Sequence, residues 1–588
     1  MFPKLKVLPT SRQTVDVFKG YNRNLRIGEG EFFDMKNMTS DFYPVAAPRG
    51  KRGVYGAGES LQGIIAKDRL CYVDGTDFVI GSTRIDLGLS TAEEDCPKSL
   101  VSMGAYVIIL PDKKYINTAD TTDFGDIEAS FASTENVSFS LCDLYGKEYQ
   151  HALVSAEEPE WTEDFLYDVW YDASSYPWVP KVYNQQSRAW VTIATLYIKI
   201  ATKGIGKDFA KYDGVTVSGI VSEHAKSLNG KHVIQECGDD YIIVTGVMET
   251  SAFVTQMADE GAVRVARTMP DMDFVIESGN RLWGCCNGKS KSKGKINEIY
   301  ASKLGDFKNW NCFMGLSTDS YVASCGTDGP FTGAITHMGQ PVFFKENCMH
   351  KVYGDYPSNF RVQATTCRGV QKGCEKSLAI VNETLFYKSI SGVCAYDGSL
   401  PVEVSYALGA ESYSQAVAGA LRNKYYISMK DDKERWHLFV YDTANRLWHR
   451  EDDFRALDFC CFRGELYGID TERKGIMAMT GTGAKEPDAV EWMAETGILG
   501  TDMPDMKYIS RLALRMSLDL GSRVRILIQY DSMGGWEHIC TLVGRNLRSF
   551  TVPIRPRRCD HLRLRIEGTG DARIYSITKT IEQGSDVR

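Results

Sequence analysis

The sequence predicts an all-β protein built around a β-propeller of six or seven blades, and three observations carry that expectation. Composition is the first. The chain holds 53 Gly, 30 Tyr and 25 Phe, a mixture that supplies tight turns and residues suited to pleated surfaces. The second is a loose repeat from about residue 56, in which an apolar strand, a short polar turn and a second apolar strand recur. The third lies in residues 509–566, where Arg or another polar residue alternates with an apolar one, as in half-buried antiparallel strands.

The 588 residues are too many for one ordinary domain, so two to four are expected. Residues 1–55 read as an extended N-terminal arm, with turn signals through Asn37–Pro44 and Pro48–Gly53. Residues 56–134 and 267–487 are the first and second parts of the propeller. Paired runs such as Ile335–Phe344 with Met349–Gly354, and Lys424–Met429 with His437–Asp442, return roughly every 40–50 residues, a propeller period. The period breaks over 135–266. That stretch begins acidic and aromatic (Glu157, Glu158, Glu160, Trp161, Trp170, Tyr171, Tyr176, Trp178). It then turns strongly β through Trp190–Ile200, Val215–Ile220 and Tyr241–Gly246. It reads as a small β domain inserted in a propeller loop. Residues 488–588 read as a C-terminal β-sandwich that serves as a docking domain.

Net charge is −8, whereas a chain that grips nucleic acid over a broad surface is normally basic. An acidic wall that lets DNA slide past remains compatible with this balance. The 16 Cys are scattered without a C-x-x-C pair, and the neighbours Cys285–Cys286 and Cys460–Cys461 cannot each close a normal disulfide. Buried, reduced thiols from a cytosolic assembly site are expected. The start Met1–Lys6 lacks the apolar run of a signal peptide, and no 18-residue apolar run occurs, so no membrane insertion is expected.

Motifs for chemistry are absent. There is no H-E-x-x-H, no Walker A loop and no G-x-S-x-G elbow; Gly204–Lys207 is the nearest approach to a phosphate loop and lacks its spacing. No catalytic, cofactor-binding or metal-binding residue is assigned, and the chain is not expected to be an enzyme. Two basic features stand out. Lys289, Lys291, Lys293 and Lys295 form a hairpin loop that faces DNA in a channel, or else is a solvated tip with no function. Arg545, Arg548, Arg555, Arg557, Arg558, Arg563, Arg565 and Arg573 form a local basic face for partner docking, or else ordinary solvated strand faces.

Three stretches resemble tail hub or nozzle proteins of short-tailed bacteriophages and related prophage tail proteins. They are Arg26–Met38 with Tyr43–Pro44 and Pro48–Arg49; Asn280–Gly284 with Ile299–Trp310; and the ending Ile574–Asp586. The likeness runs over most of the chain and is weakest in 135–266. It implies a virion structural protein made and assembled in the host cytoplasm. Such a subunit forms a homo-oligomeric, hexameric ring below the portal and adaptor. The ring contacts other tail proteins, passes double-stranded DNA transiently, and gates genome retention and ejection. The alternative is a distal tail receptor-binding propeller that holds carbohydrate through Trp170, Tyr171, Tyr176 and Trp178. A third reading is a polysaccharide-cleaving propeller enzyme.

Overall fold

The computed structural model describes residues 10–91, 97–222, 225–247, 257–259, 262–290, 294–481, 484–485, 490–501, 506–544 and 546–583. Seven sheets make the propeller, and in six of them four antiparallel strands follow one another along the chain. Blade 1 runs from Leu61–Ala66 to Thr83–Asp86 and blade 2 from Ser99–Met103 to Phe124–Asp126. Blade 3 spans Phe274–Ser278 to Tyr321–Ser324, blade 4 Gly333–His337 to Arg361–Thr366, and blade 5 Ala379–Val381 to Val402–Glu403. Blade 6 spans Tyr413–Leu421 to Leu447–Arg450, and blade 7 begins at Ala456–Phe462.

Burial explains the apolar runs. Middle strands lie between two neighbouring blades and bury both faces: Gln340–Lys345 is buried at every position after the first, and Glu465–Asp470 throughout. Such strands read as continuous rather than alternating hydrophobic stretches. First strands pack side by side around the centre, and that of blade 7 (Ala456–Phe462) returns to that of blade 1 (Leu61–Ala66), which closes the circle.

Closure needs the N-terminal stretch. Blade 7 supplies three strands from residues 456–478, and its next strand is Gly53–Ala57, paired antiparallel with Gly475–Ala478. The segment expected as an arm is extended but woven into three larger sheets, with a two-stranded one of its own at Met38–Thr39 and Ala47–Pro48. Thr10–Val15 pairs with Ala572–Gln583 at one edge of the sandwich. Gly20–Tyr21 and Glu31–Lys36 bridge Leu447–Arg450 of blade 6 to Glu491–Thr496 of the sandwich, making one continuous ten-stranded sheet. Gly20 is required there: its φ is +82°, and a Cβ would lie 2.2 Å from the Trp448 carbonyl oxygen.

The sandwich proper stacks that sheet on a second one of Thr10–Val15, Ala572–Gln583, Lys507–Leu518 and Asn546–Val552. One apolar cluster runs without a break from blades 4–6 (Phe344, Tyr387, Tyr425) into the sandwich (Leu514, Ile528, Leu564). The insert between blades 2 and 3 has its own core, including Phe139, Ile198, Val215 and Val244. Its ends are zipped together, with Ala129 opposite Arg267 in register. The first strand therefore starts at Ala129, ahead of the boundary expected at 135. Asn309, in the long loop of blade 3, anchors the insert by donating to Asp213 at 2.8 Å and accepting from the Gly214 amide at 2.8 Å.

A buried ion cluster fixes the closing strand. Arg52, fully buried, donates to Asp452 at 2.7 Å and to Glu451 at 2.8 Å, and Arg49 reaches Asp452 at 3.3 Å. Burial alone would raise the Asp452 pKa, but the Arg52 charge and hydrogen bonds outweigh it and hold the carboxyl down at about 2. A depressed folded pKa gives stability that is complete above the unfolded value of about 3.9 and is lost as pH falls toward 2. We expect Arg52→Ala to cost about 3–5 kcal/mol, because it strands buried carboxylates. Urea unfolding measures this at pH 7, and the difference from wild type should shrink steadily below pH 4. An unchanged difference at pH 2.5 would refute the assignment.

Candidate functional site

The C-terminal unit is locally basic within an acidic chain: residues 488–588 contain fifteen Lys and Arg against thirteen Asp and Glu. The structure divides the predicted arginines into two groups. Arg563 and Arg565 alternate on the strand Leu562–Thr569 and point at one buried carboxylate. Glu495 accepts from Arg565 at 2.7 Å and from Arg563 at 3.3 Å, and it is only 4% exposed. Their guanidinium planes lie over Trp536 and Phe33. This pair welds the strand Glu491–Thr496 to its neighbour.

The second group faces solvent. Arg555, Arg557 and Arg558 lie on the exposed segment before Cys559. Arg557 donates to Glu537 at 2.6 Å across the surface and stacks on Tyr530. Arg548 stacks on Phe550 at 4.3 Å, and Arg573 lies over Phe42 at 4.2 Å. Arg545 lies outside the described residues. Arg548 sits on Asn546–Val552 and Glu537 on Glu537–Val543, each the last strand of its sheet. These edges also expose Val543, Leu547 and Met533. Arginine among exposed apolar side chains is the make-up of protein interfaces. Charge on an open edge equally prevents indiscriminate strand pairing.

Lys289 and Lys295 face each other across the hairpin of blade 3 and are exposed; Lys291 and Lys293 lie outside the described residues. Antiparallel strand order puts this hairpin on the propeller face from which the insert also departs. Blade 3 and blade 6, which carries the sandwich, are three positions apart in a ring of seven.

The aromatics of the insert are mostly engaged with one another. Trp170 and Tyr171 are buried, and Trp161 stacks flat on Tyr183 at 4.5 Å. Of the four side chains offered for carbohydrate, only Tyr176 is fully open and Trp178 is half-buried. A cavity of about 860 Å³ lies elsewhere, between the stretch Leu25–Phe32 and the sandwich strands. Its floor is core (Phe18, Ile509, Leu512, Leu564), and Thr501 at its border adjoins residues 502–505, which lie outside the described residues. Among the described residues no group of three or more His, Cys, Asp or Glu is placed to hold a metal ion. Sequence reasoning missed Glu495 as the partner of Arg563 and Arg565, since it precedes them by 68 and 70 residues and no spacing rule links them.

No protein-family model matches the chain, and no curated protein matches it. Solved structures give distant likenesses. The exo-β-1,3-galactanase of Phanerochaete chrysosporium is 8% identical with a TM-score of 0.21, covering 52% of this chain and 94% of that one. The endosialidase of phage phi92 is 9% identical with a TM-score of 0.21, covering 76% and 68%. A GH43 glycoside hydrolase is 9% identical with a TM-score of 0.20, covering 53% and 96%. Scores this low carry no argument about activity. The seven-bladed propeller rests on the strand pairing and ring closure described above.

Two outcomes follow from this geometry. Glu495→Gln removes the charge that two arginines share, and we expect a loss of about 2 kcal/mol, the scale of a charged hydrogen bond. Thermal unfolding with wild type in parallel measures it; an unshifted transition would show that the pair is solvated and contributes nothing. All fifteen described cysteines are unbonded, nine are buried and only Cys461 is exposed. Among these fifteen, thiol labelling without denaturant should modify Cys461 first and the buried nine only on unfolding, as peptide mass mapping will show.

Proposed function

We propose that this chain is a virion structural protein, a nozzle or hub subunit of a short bacteriophage tail. It assembles as a ring, hexameric by analogy with the proteins it resembles, beneath the portal and adaptor. The ring extends the DNA channel and gates retention and release of the genome. One observation carries the reading: the stretches that resemble such proteins include those that join the modules of this fold. Within Arg26–Met38 lies the strand Glu31–Lys36, which splices blade 6 to the sandwich. Ile299–Trp310 includes Asn309, which locks the insert. Ile574–Asp586 includes the end of the strand that pairs with Thr10–Val15.

Charge supports the same reading. A basic sandwich rim on an acidic chain offers one copy's arginines to carboxylates of a neighbour or an adaptor. An overall acidic chain also lets DNA pass without being held, because each neutralised phosphate would add salt-dependent affinity. Arg548, Arg555, Arg557, Arg558 and Arg573 are the docking residues of this proposal, and Lys289 and Lys295 its channel-facing pair.

Electron microscopy of particles carrying Arg557→Glu and Arg558→Glu tests it. Both side chains are exposed, so the isolated variant should fold with an unaltered circular dichroism spectrum while tails fail to assemble. Normal assembly with altered DNA retention would put these arginines in the bore. A wild-type chain absent from the tail would end the proposal altogether.

A further inference from the structure

At the seam between blade 6 and the bridging strands lies a second, smaller cavity of about 180 Å³. Its floor is aromatic: Phe439, Tyr21 and Tyr413 are all buried, with Phe439 5.5 Å from each of the other two rings. Its rim is charged and internally balanced. Arg450 donates to Asp34 at 2.8 Å, and Arg23 to Glu411 at 3.4 Å. Arg435 donates to Asp431 at 2.8 Å, a carboxylate that also takes His437 Nε2 at 3.0 Å. Burial lowers the His437 pKa, so the ring is neutral at pH 7, and each of the three guanidinium groups is paired with a carboxylate, Asp34 and Glu411 in the lining and Asp431 outside it.

Each pair leaves capacity unspent. Arg450 bonds through Nη1, Arg23 through Nε and Nη1, and Arg435 through Nε and Nη2. Among the described residues Arg450 Nη2, Arg23 Nη2 and Arg435 Nη1 have no protein acceptor, and Asp34 Oδ2 and the Tyr21 hydroxyl have no protein partner. Donors and acceptors thus alternate around an aromatic floor with no excess charge. An anion would meet Asp34 and Glu411 at close range, whereas a hydroxyl donates to a carboxylate and accepts from a guanidinium at once. The cavity is smaller than the roughly 300–1,000 Å³ of pockets that take drug-sized ligands, so the occupant is one ring.

We propose that this pocket binds a single neutral, polyhydroxylated ring of the monosaccharide class. The site is separate from the insert aromatics considered for carbohydrate above, and it does not depend on the virion assignment. Saturation-transfer NMR on the full chain tests it, with methyl glycosides of glucose, galactose, mannose and N-acetylglucosamine, and inorganic phosphate as the anionic probe. At least one glycoside should bind in the millimolar range, and phosphate should not compete. Arg435→Ala and Glu411→Gln alter side chains that are 61% and 41% exposed, so the fold should persist, and each should weaken binding at least fivefold. No binding by any glycoside, binding equal to wild type in both variants, or displacement by phosphate would each overturn the proposal. Ring assembly is read separately, so its failure leaves this result intact.

Discussion

The buried contact of Arg52 with Glu451 and Asp452 is the constraint on which the architecture turns. A propeller is stable only as a complete circle, since each blade covers the faces of its neighbours. Here the fourth place in the last blade goes to Gly53–Ala57 from the far end of the chain, with only the two-residue strand Ala484–Lys485 beyond it. Arg52 stands one residue before that strand, and its acidic partners lie in the connection from blade 6 to blade 7. The guanidinium also rests over Phe454 at 4.9 Å. A charge so deeply buried tolerates one geometry only, because any slip of the strand would leave it unpaired in an apolar setting. The pair therefore fixes the register of the closing strand.

From that point the other modules follow. Residues ahead of Arg52 have nowhere to run but back along blade 6, where Gly20–Tyr21 lies against Trp448. The bridging strands then carry the sheet into the sandwich, and the apolar core crosses the junction unbroken. Propeller and sandwich are in this sense one body with two lobes. The insert is attached differently, through its zipped ends and the polar lock at Asn309, and it keeps a core of its own.

Much of the propeller was legible in the residues. Pro341–Phe344 and Tyr425–Met429 announced themselves because middle strands buried on two faces are mostly apolar, and turns such as Gly279–Asn280 and Met338–Gly339 punctuate the repeat. The closing strand was illegible. Gly53–Ala57 contains two glycines and exposes most of its side chains, so it has neither the apolar run nor the alternation that marks a strand. It is recognisable only by the edge it completes. The basic sandwich face was half legible: composition located the arginines, but only the fold could say that Arg563 and Arg565 turn inward to Glu495 while Arg557 and Arg558 stay outside. The small polar cavity draws residues from positions 21 to 450, and no local pattern could have assembled it.

Closure by the N-terminal strand also sets an order of events during synthesis. Arg52 and Asp452 are 400 residues apart in the chain. At about 5–20 residues per second, roughly 20–80 s pass between their emergence from the ribosome. Throughout that interval blades 1 to 6 can stack in turn, while Gly53–Ala57 waits as a five-residue, glycine-bearing segment too short to hold a wrong partner firmly. The same plainness that hides this strand from a reader of the sequence keeps it unclaimed until the seventh blade arrives.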